Sequence, residues 1–279
     1  MMKSLILGCG DLGQTLAYDL VQHGHQVVAI GRKARQFAEF DYISQDLNDL
    51  PNISERLNQQ QFDYIFCIVS PSERSVQGYQ NTYLNIAQSI FLALQQQNPK
   101  KVFFISSTRV YAQDQGAIID DDSPLNYKIS NNQNDEIDPF TQILLASELV
   151  WSAYWQEKLC ILRPTGLYQQ GSQRLQKLAE HTTHIDSIHW SNRIHRADVV
   201  GFMRYLTQID AEKIQSSYIL SDSVPMPLGE ILNYFRQKQG LNPLTMHPDL
   251  PHTGKKVYAK RLQQSGYILK YADFFKAQI

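Results

Sequence analysis

The sequence predicts an α/β fold, a doubly wound parallel sheet with a small C-terminal lobe. Three observations predict it. Short apolar runs alternate with amphipathic stretches of helical length, a glycine-rich turn follows the first run, and the alternation loosens after Arg163-Pro164. Strand alternating with helix implies βαβ units, hence parallel strands joined by right-handed crossovers.

The elements follow in order. Leu5–Leu7, Val27–Ile30, Tyr64–Val69, Val102–Ser106 and Cys160–Leu162 are near-continuous apolar runs, the pattern of strands buried on both faces. Gly13–His23, Ile53–Gln59, Tyr79–Gln97 and Phe140–Glu157 lie between them with helical spacing. Residues 112–139 are polar and acidic, with Asp120-Asp121-Asp122 at their centre. So long a stretch inside a compact domain reads as a solvated insertion, with a lid as the alternative. Further on, Pro227–Gln239 predicts an amphipathic helix.

Composition narrows the function classes. The 279 residues are 43% hydrophobic and 19% charged, an ordinary globular balance that suits one large domain with an appendage. A formal charge of −1 gives no electrostatic reason to expect nucleic acid or an anionic membrane as partner. No apolar run approaches the roughly 20 residues of a membrane span. Met1–Leu7 is too short an apolar stretch for a signal-peptide core and reads as the first strand. Cys9, Cys67 and Cys160 show no CxxC spacing, which predicts reduced thiols, a cytoplasmic protein and no structural zinc.

Gly8-Cys9-Gly10-Asp11-Leu12-Gly13 is GxGxxG between a strand and a helix. Gly8 permits the tight turn, Gly10 lets backbone approach a pyrophosphate, and Gly13 lets helix and strand pack closely. Free N–H groups and the positive end of the helix dipole then hold phosphates. The expectation is a Rossmann-like dinucleotide-binding domain. An Asp or Glu roughly 20 residues beyond the glycines would select NAD. The chain has Gly31-Arg32-Lys33-Ala34-Arg35 instead, with no acid until Glu39. Arg32, Lys33 and Arg35 can pair with a 2′-phosphate and Arg32 can stack on adenine, so NADP is expected ahead of NAD. A solvated basic turn is the plain alternative.

These residues, with Asp46-Leu47, Ser106–Tyr111, Arg163–Tyr168, Asn192–Asp198 and Tyr218–Asp222, span nearly the whole chain in order. Together they resemble the extended and atypical short-chain dehydrogenases/reductases, the NAD(P)-dependent epimerase/dehydratase-like group. The resemblance implies that Asp46 and Leu47 edge the adenine, that Ser70 and Pro71 lie near the ribose, and that Ser107 fills the catalytic serine position. It implies a nucleotide-binding domain over 1–165 plus about 199–221, and a smaller substrate-binding lobe over 166–198 and 222–279. It also implies a homodimer through helices such as Tyr79–Gln97 and Phe140–Glu157.

Members of that group use a tyrosine acid/base with a lysine four residues later, the ammonium favouring the phenolate. A glutamate often follows by four more, and Glu148 fits it. Counting back gives Leu144 for the lysine and Phe140 for the tyrosine, so the usual relay is absent. Tyr154 and Lys158 satisfy YxxxK but lie ~21 Å along the helix from Phe140 at 1.5 Å per residue, at the wrong end. A positioned acid/base supplies about 10²–10⁴-fold in rate, so an enzyme needs a substitute. Tyr111, four residues past Ser107, and His195, titrating near neutrality, are the candidates, each with a purely structural alternative. Tyr168 and Arg193 flank the region where members bind substrate. His181/His184 and His247/His252 match no zinc arrangement. The run Gly254–Arg261, with Arg193 and Arg196, could hold an anionic substrate or be solvated surface. The expected function is an NADP(H)-dependent oxidoreductase or epimerase-like enzyme acting on a small polar substrate, a nucleotide-sugar or carbonyl. A catalytically silent NADP(H)-binding redox sensor is the alternative.

Overall fold

A computed structural model of the chain describes residues 1–126, 138–171 and 173–278. In chain order it runs β1 (Lys3–Leu7), α1 (Asp11–Gln22), β2 (Gln26–Gly31), β3 (Asp41–Ser44), a 3₁₀ stretch Leu47–Ile53, α2 (Ser54–Asn58), β4 (Tyr64–Cys67) and α3 (Val76–Tyr79). A π-helical stretch Gln80–Asn85 leads into α4 (Ile86–Ala93), β5 (Lys101–Ile105), β6 (Ala117–Ile119), α5 (Pro139–Trp155), β7 (Leu159–Pro164), β8 (Gly166–Tyr168) and α6 (Gln173–His181). Then come β9 (Ile188–Ser191), β10 (Arg193–His195), α7 (Arg196–Leu206), β11 (Ser217–Leu220), β12 (Met226–Pro227), α8 (Leu228–Lys238), β13 (His252–Val257) and α9 (Lys260–Gln264).

The predicted α/β class is what forms. A seven-stranded sheet has the order β11-β7-β5-β4-β1-β2-β3, and the pairings from β3 through β7 are parallel. Leu5, Ile6, Leu7, Ile65, Phe66 and Cys67 are all fully buried. Helices cover both faces of such strands, so no alternation appears in their sequences. In α1, Gly13, Leu16, Ala17 and Leu20 are the buried positions, spaced i, i+3, i+4 and i+7 as one helical stripe. Asp138 caps α5 by accepting from the Phe140 and Thr141 amides, with Pro139 as the first helical residue.

The chain divides into two compact units. The first comprises Met1–Val110, Asn126–Arg163 and Val200–Tyr218; the second comprises Tyr111–Leu125, Pro164–Val199 and Ile219–Ile279. In the second unit β12-β9-β13-β6 form a four-stranded sheet and β8 pairs with β10 in parallel. A separate core gathers Tyr168, Leu175, Ile231, Phe235 and Phe274.

Three sequence expectations need correction. The helix expected over Tyr79–Gln97 begins at Val76, passes through the π-helical stretch and ends at Ala93. The front part of the presumed insertion is built structure. Ala117–Ile119 pairs with β13, and both Asp121 carboxylate oxygens accept backbone amides, from Ile219 and Arg261. The remainder of that expectation, residues 127–137, lies outside the described residues. Finally, the basic run is largely engaged. Lys260 and Arg261 pair with Asp122 at 2.6 and 2.8 Å, Lys255 donates to the Tyr111 carbonyl, and Lys256 lies over the Trp190 ring. It is neither a free anion-binding surface nor a bare solvated one.

Candidate functional site

The first unit holds a cavity of about 430 Å³ lined by the residues that follow β1, β2 and β4. The sheet order reverses between β1 and β4, the place where open α/β sheets bind ligands. Gly8 has φ +103°, and a Cβ there would sit 2.1 Å from the Ile68 carbonyl oxygen. A Cβ on Gly13 would sit 2.2 Å from the Gly8 oxygen, so helix and turn touch only because Gly13 lacks one. Gly10 differs: nothing lies within 4 Å of its missing side chain. It is also the N-cap of α1 and provides no side-chain cap, which leaves first-turn amides open beside empty space. That cradle fits the pyrophosphate of a dinucleotide.

The other end of the cavity is basic. Arg32, Lys33 and Arg35 line it, and β3 fixes the turn that carries them. Tyr42 Oη donates to the Lys33 carbonyl at 2.6 Å, and Ser44 Oγ to the Arg32 carbonyl at 3.4 Å. Arg35 donates to Gln14 Oε1 at 3.0 Å, while the Arg32 and Lys33 side chains have no partner among the described residues. Burial pushes the Cys9 thiol up, and Arg35 pulls it back. Asp46 accepts from the Asn48 amide and side chain, so it anchors the stretch that places Leu47 on the wall.

Of the sequence-derived cofactor residues, the cavity wall brings together Gly8, Gly10, Asp11, Arg32, Lys33, Arg35, Asp46, Leu47 and Ser70; Leu12, Gly13 and Pro71 are not on it. Tyr42, Asn48, Gln77, Asn81 and Thr82 are on the wall and were missed. Their only sequence signal is a short polar strand and a helix start without an apolar stripe.

Ser107 lies half-buried after β5, its Oγ accepting from the Arg109 amide at 3.2 Å. Arg109 pairs with Asp138 at 3.3 Å, and its guanidinium lies 5.4 Å from the Phe140 ring centre. Leu144 is 1% exposed in apolar packing. Glu148 is spent on Arg163, which it binds through both oxygens at 2.9 and 2.7 Å. Tyr154 stacks on Phe91 at 4.1 Å and donates to its carbonyl, and Lys158 donates to Asn98, so that YxxxK pair is tied down at the far end of α5.

The second unit holds the other candidates. Tyr111 is 2% exposed and bridges to Leu125 through its backbone. His195 stacks at 3.8 Å on Tyr271 and its Nδ1 accepts from the Ala197 amide; burial lowers its pKa, opposed by Asp198. Register sets His195 opposite Tyr168 and Arg193 opposite Gly166, and the Arg193 side chain fills the space a Cβ on Gly166 would take. Among the described residues, Tyr168 Oη, Arg193 Nε and the buried Asp222 Oδ2 find no hydrogen-bond partner. Asp222 donates its amide to the Arg193 carbonyl, and burial pushes its carboxyl up to about 7. Arg174 adds a second positive charge near Arg193. Three buried unsatisfied groups this close together call for a ligand or water. Arg196 instead donates to Gln169.

The comparisons decide the family. Residues 4–204 match the NAD dependent epimerase/dehydratase family. The chain belongs to it. A solved structure from Methylobacillus flagellatus, whose name assigns it as an NAD-dependent epimerase/dehydratase, is 29% identical with a TM-score of 0.82, over 99% of this chain and 96% of that one. MoeE5, solved with UDP-glucose and NAD, has a TM-score of 0.75 at 18% identity, over 100% of this chain and 96% of its own. Among curated proteins, glutamyl-tRNA reductase of Campylobacter jejuni (strain RM1221) is 21% identical over 226 residues, 73% of this chain. The chain spans about half the length of that relative, 52%. Among the described residues no helix is long and apolar enough to cross a membrane.

Proposed function

We propose that this chain binds NADP(H) and acts on a small polar substrate as an oxidoreductase or epimerase-like enzyme. The observation that carries the reading is the cavity itself: uncapped amides beside Gly10 at one end, free Arg32 and Lys33 at the other. The nicotinamide supplies hydride transfer when bound. The chain's residues hold its pyrophosphate at Gly8–Gly13, pair its 2′-phosphate with Arg32, Lys33 and Arg35, and edge its adenine with Asp46 and Leu47. Ser70 and Pro71 lie by the ribose. MoeE5 holds NAD; the basic turn favours NADP here.

Ser107 is the catalytic serine, with Phe140 and Leu144 standing where relatives carry tyrosine and lysine. As proton donors the two differ from it: Tyr111 is buried, and burial disfavours the charged form of His195 beside the Tyr271 ring. Tyr168 and Arg193 bind substrate in the smaller lobe, joined by Asp222, as their unpartnered polar atoms suggest. Arg193 and Arg174 favour a substrate with an anionic group, and the UDP-glucose bound to MoeE5 is a molecule of that class. A homodimer through α4 and α5 fits their exposed Leu92, Leu149 and Val150. Three free, buried cysteines suit a cytoplasmic setting.

A turnover screen over sugar nucleotides and small carbonyls, read by nicotinamide absorbance, tests the reading. Silence across the panel with cofactor bound would favour the second one, a redox-sensing NADP(H) binder. Apolar Leu144 at the lysine position is the observation behind that alternative.

A further inference from the structure

One side chain links the helix that borders the cavity to the first turn of α5. The start of the helix after β4 lays Gln77, Gly78, Asn81 and Thr82 along the cavity. Tyr79 sits between those pairs in sequence, half-buried, with its ring edge-on to Phe140 at 4.7 Å between centres. Its hydroxyl makes no hydrogen bond among the described residues. A contiguous path runs from Ser107 Oγ to the Arg109 amide, from the Arg109 guanidinium to the Phe140 ring, and from that ring to Tyr79. The helix turns π-helical at the next residue, Gln80, a distortion that is rare and concentrates at functional sites.

We propose that Tyr79 supplies the acid/base phenol that α5 lacks, with Arg109 as the nearby cation. The position of the phenol has moved from one helix to its neighbour, while the ring of Phe140 keeps the packing. In the oxidative direction, Tyr79 Oη as phenolate takes the proton of a substrate hydroxyl. A bound oxidised nicotinamide nucleotide would accept the hydride of the breaking C–H bond as the carbon–oxygen bond becomes a carbonyl. The phenol then returns its proton to water; in reduction every transfer runs backward. Among the described residues, the Tyr83 ring lies 5.4 Å from that of Tyr79, and Arg109 reaches Tyr79 across the Phe140 ring. Asp138 pairs with Arg109 and so tempers its charge.

This rests on the NADP(H) reading, and the test separates the two. The dissociation constants of NADP⁺ and NADPH are measured between pH 7 and pH 10. The two nucleotides share an adenosine end, so groups such as Tyr42 act on both alike, and their ratio isolates the nicotinamide end. A phenolate beside the ring attracts the cationic form only. The native chain and a Tyr154→Phe control should therefore gain about tenfold in preference for NADP⁺ as pH rises, and Tyr79→Phe should lose that gain with NADPH affinity unchanged. A flat ratio in the native chain, or the same gain in Tyr79→Phe, overturns the assignment of Tyr79 while leaving the cofactor reading intact. Failure of every variant to bind either nucleotide overturns both.

Discussion

Two arginines deep in this chain are treated in opposite ways. Arg163, at the end of β7, is closed off: Glu148 meets it through two short bonds, and both side chains are almost fully buried. Arg193, on β10, is left open. Among the described residues its Nε has no acceptor, the nearby Asp222 keeps one carboxylate oxygen unpaired, and Arg174 adds repulsion. A satisfied buried pair holds a fold in one arrangement. An unsatisfied group costs roughly 1–3 kcal/mol, more when charged, and natural chains keep it where something else completes the bonds. The contrast therefore assigns Arg163 to architecture and, under the function proposed above, Arg193 to recognition.

The contrast can be broken by stability measurements. Glu148→Ala strands a buried guanidinium and should lower unfolding free energy by about 3–5 kcal/mol, read by denaturant titration. A loss under 1 kcal/mol would mean that the pair is not structural.

Asp222 should show itself in pH dependence. Its carboxyl is raised from 3.8 to about 7, so the folded chain binds a proton that the unfolded chain has already released. Its share of stability is complete below about pH 4 and is lost as pH rises through 7, at most roughly 4 kcal/mol for three units at 1.36 each. Asp222→Asn should flatten the decline between pH 4 and 7; an unchanged slope would remove Asp222 from the account.

The smallest expected effect is the most informative one about recognition. Arg193→Met should change stability by no more than about 1 kcal/mol, since it removes an uncompensated charge and keeps the apolar stem. Under the proposed function it should also weaken UDP-glucose binding at least tenfold. A loss as large as that of Glu148→Ala would erase the distinction between the two arginines.

How much was legible follows the same divide between local and distant bonds. The turn Gly8–Gly13 and the strands flanking it could be read because each residue acts on its immediate neighbours. β3 was not placed, since Asp41-Tyr42-Ile43-Ser44 is polar and buries only Ile43. β6 was hidden in an acidic stretch because its partner strand lies more than 130 residues away, at Lys255–Val257. The ion pairs of the basic run were hidden for that reason also. The Asp122 that neutralises Lys260 and Arg261 is separated from them by 138 and 139 residues. Tyr79 carried no motif at all. Only the packing of α3 on α5 brings it to Phe140.

Calorimetric titration of the native chain with NADP⁺ and NAD⁺ at one ionic strength tests the central claim most directly. NADP⁺ should bind at least tenfold more tightly, and Arg32→Asp should reverse the order. Tighter binding of NAD⁺ by the native chain would contradict the role given to the basic turn, and no binding of either would contradict the role given to the cavity.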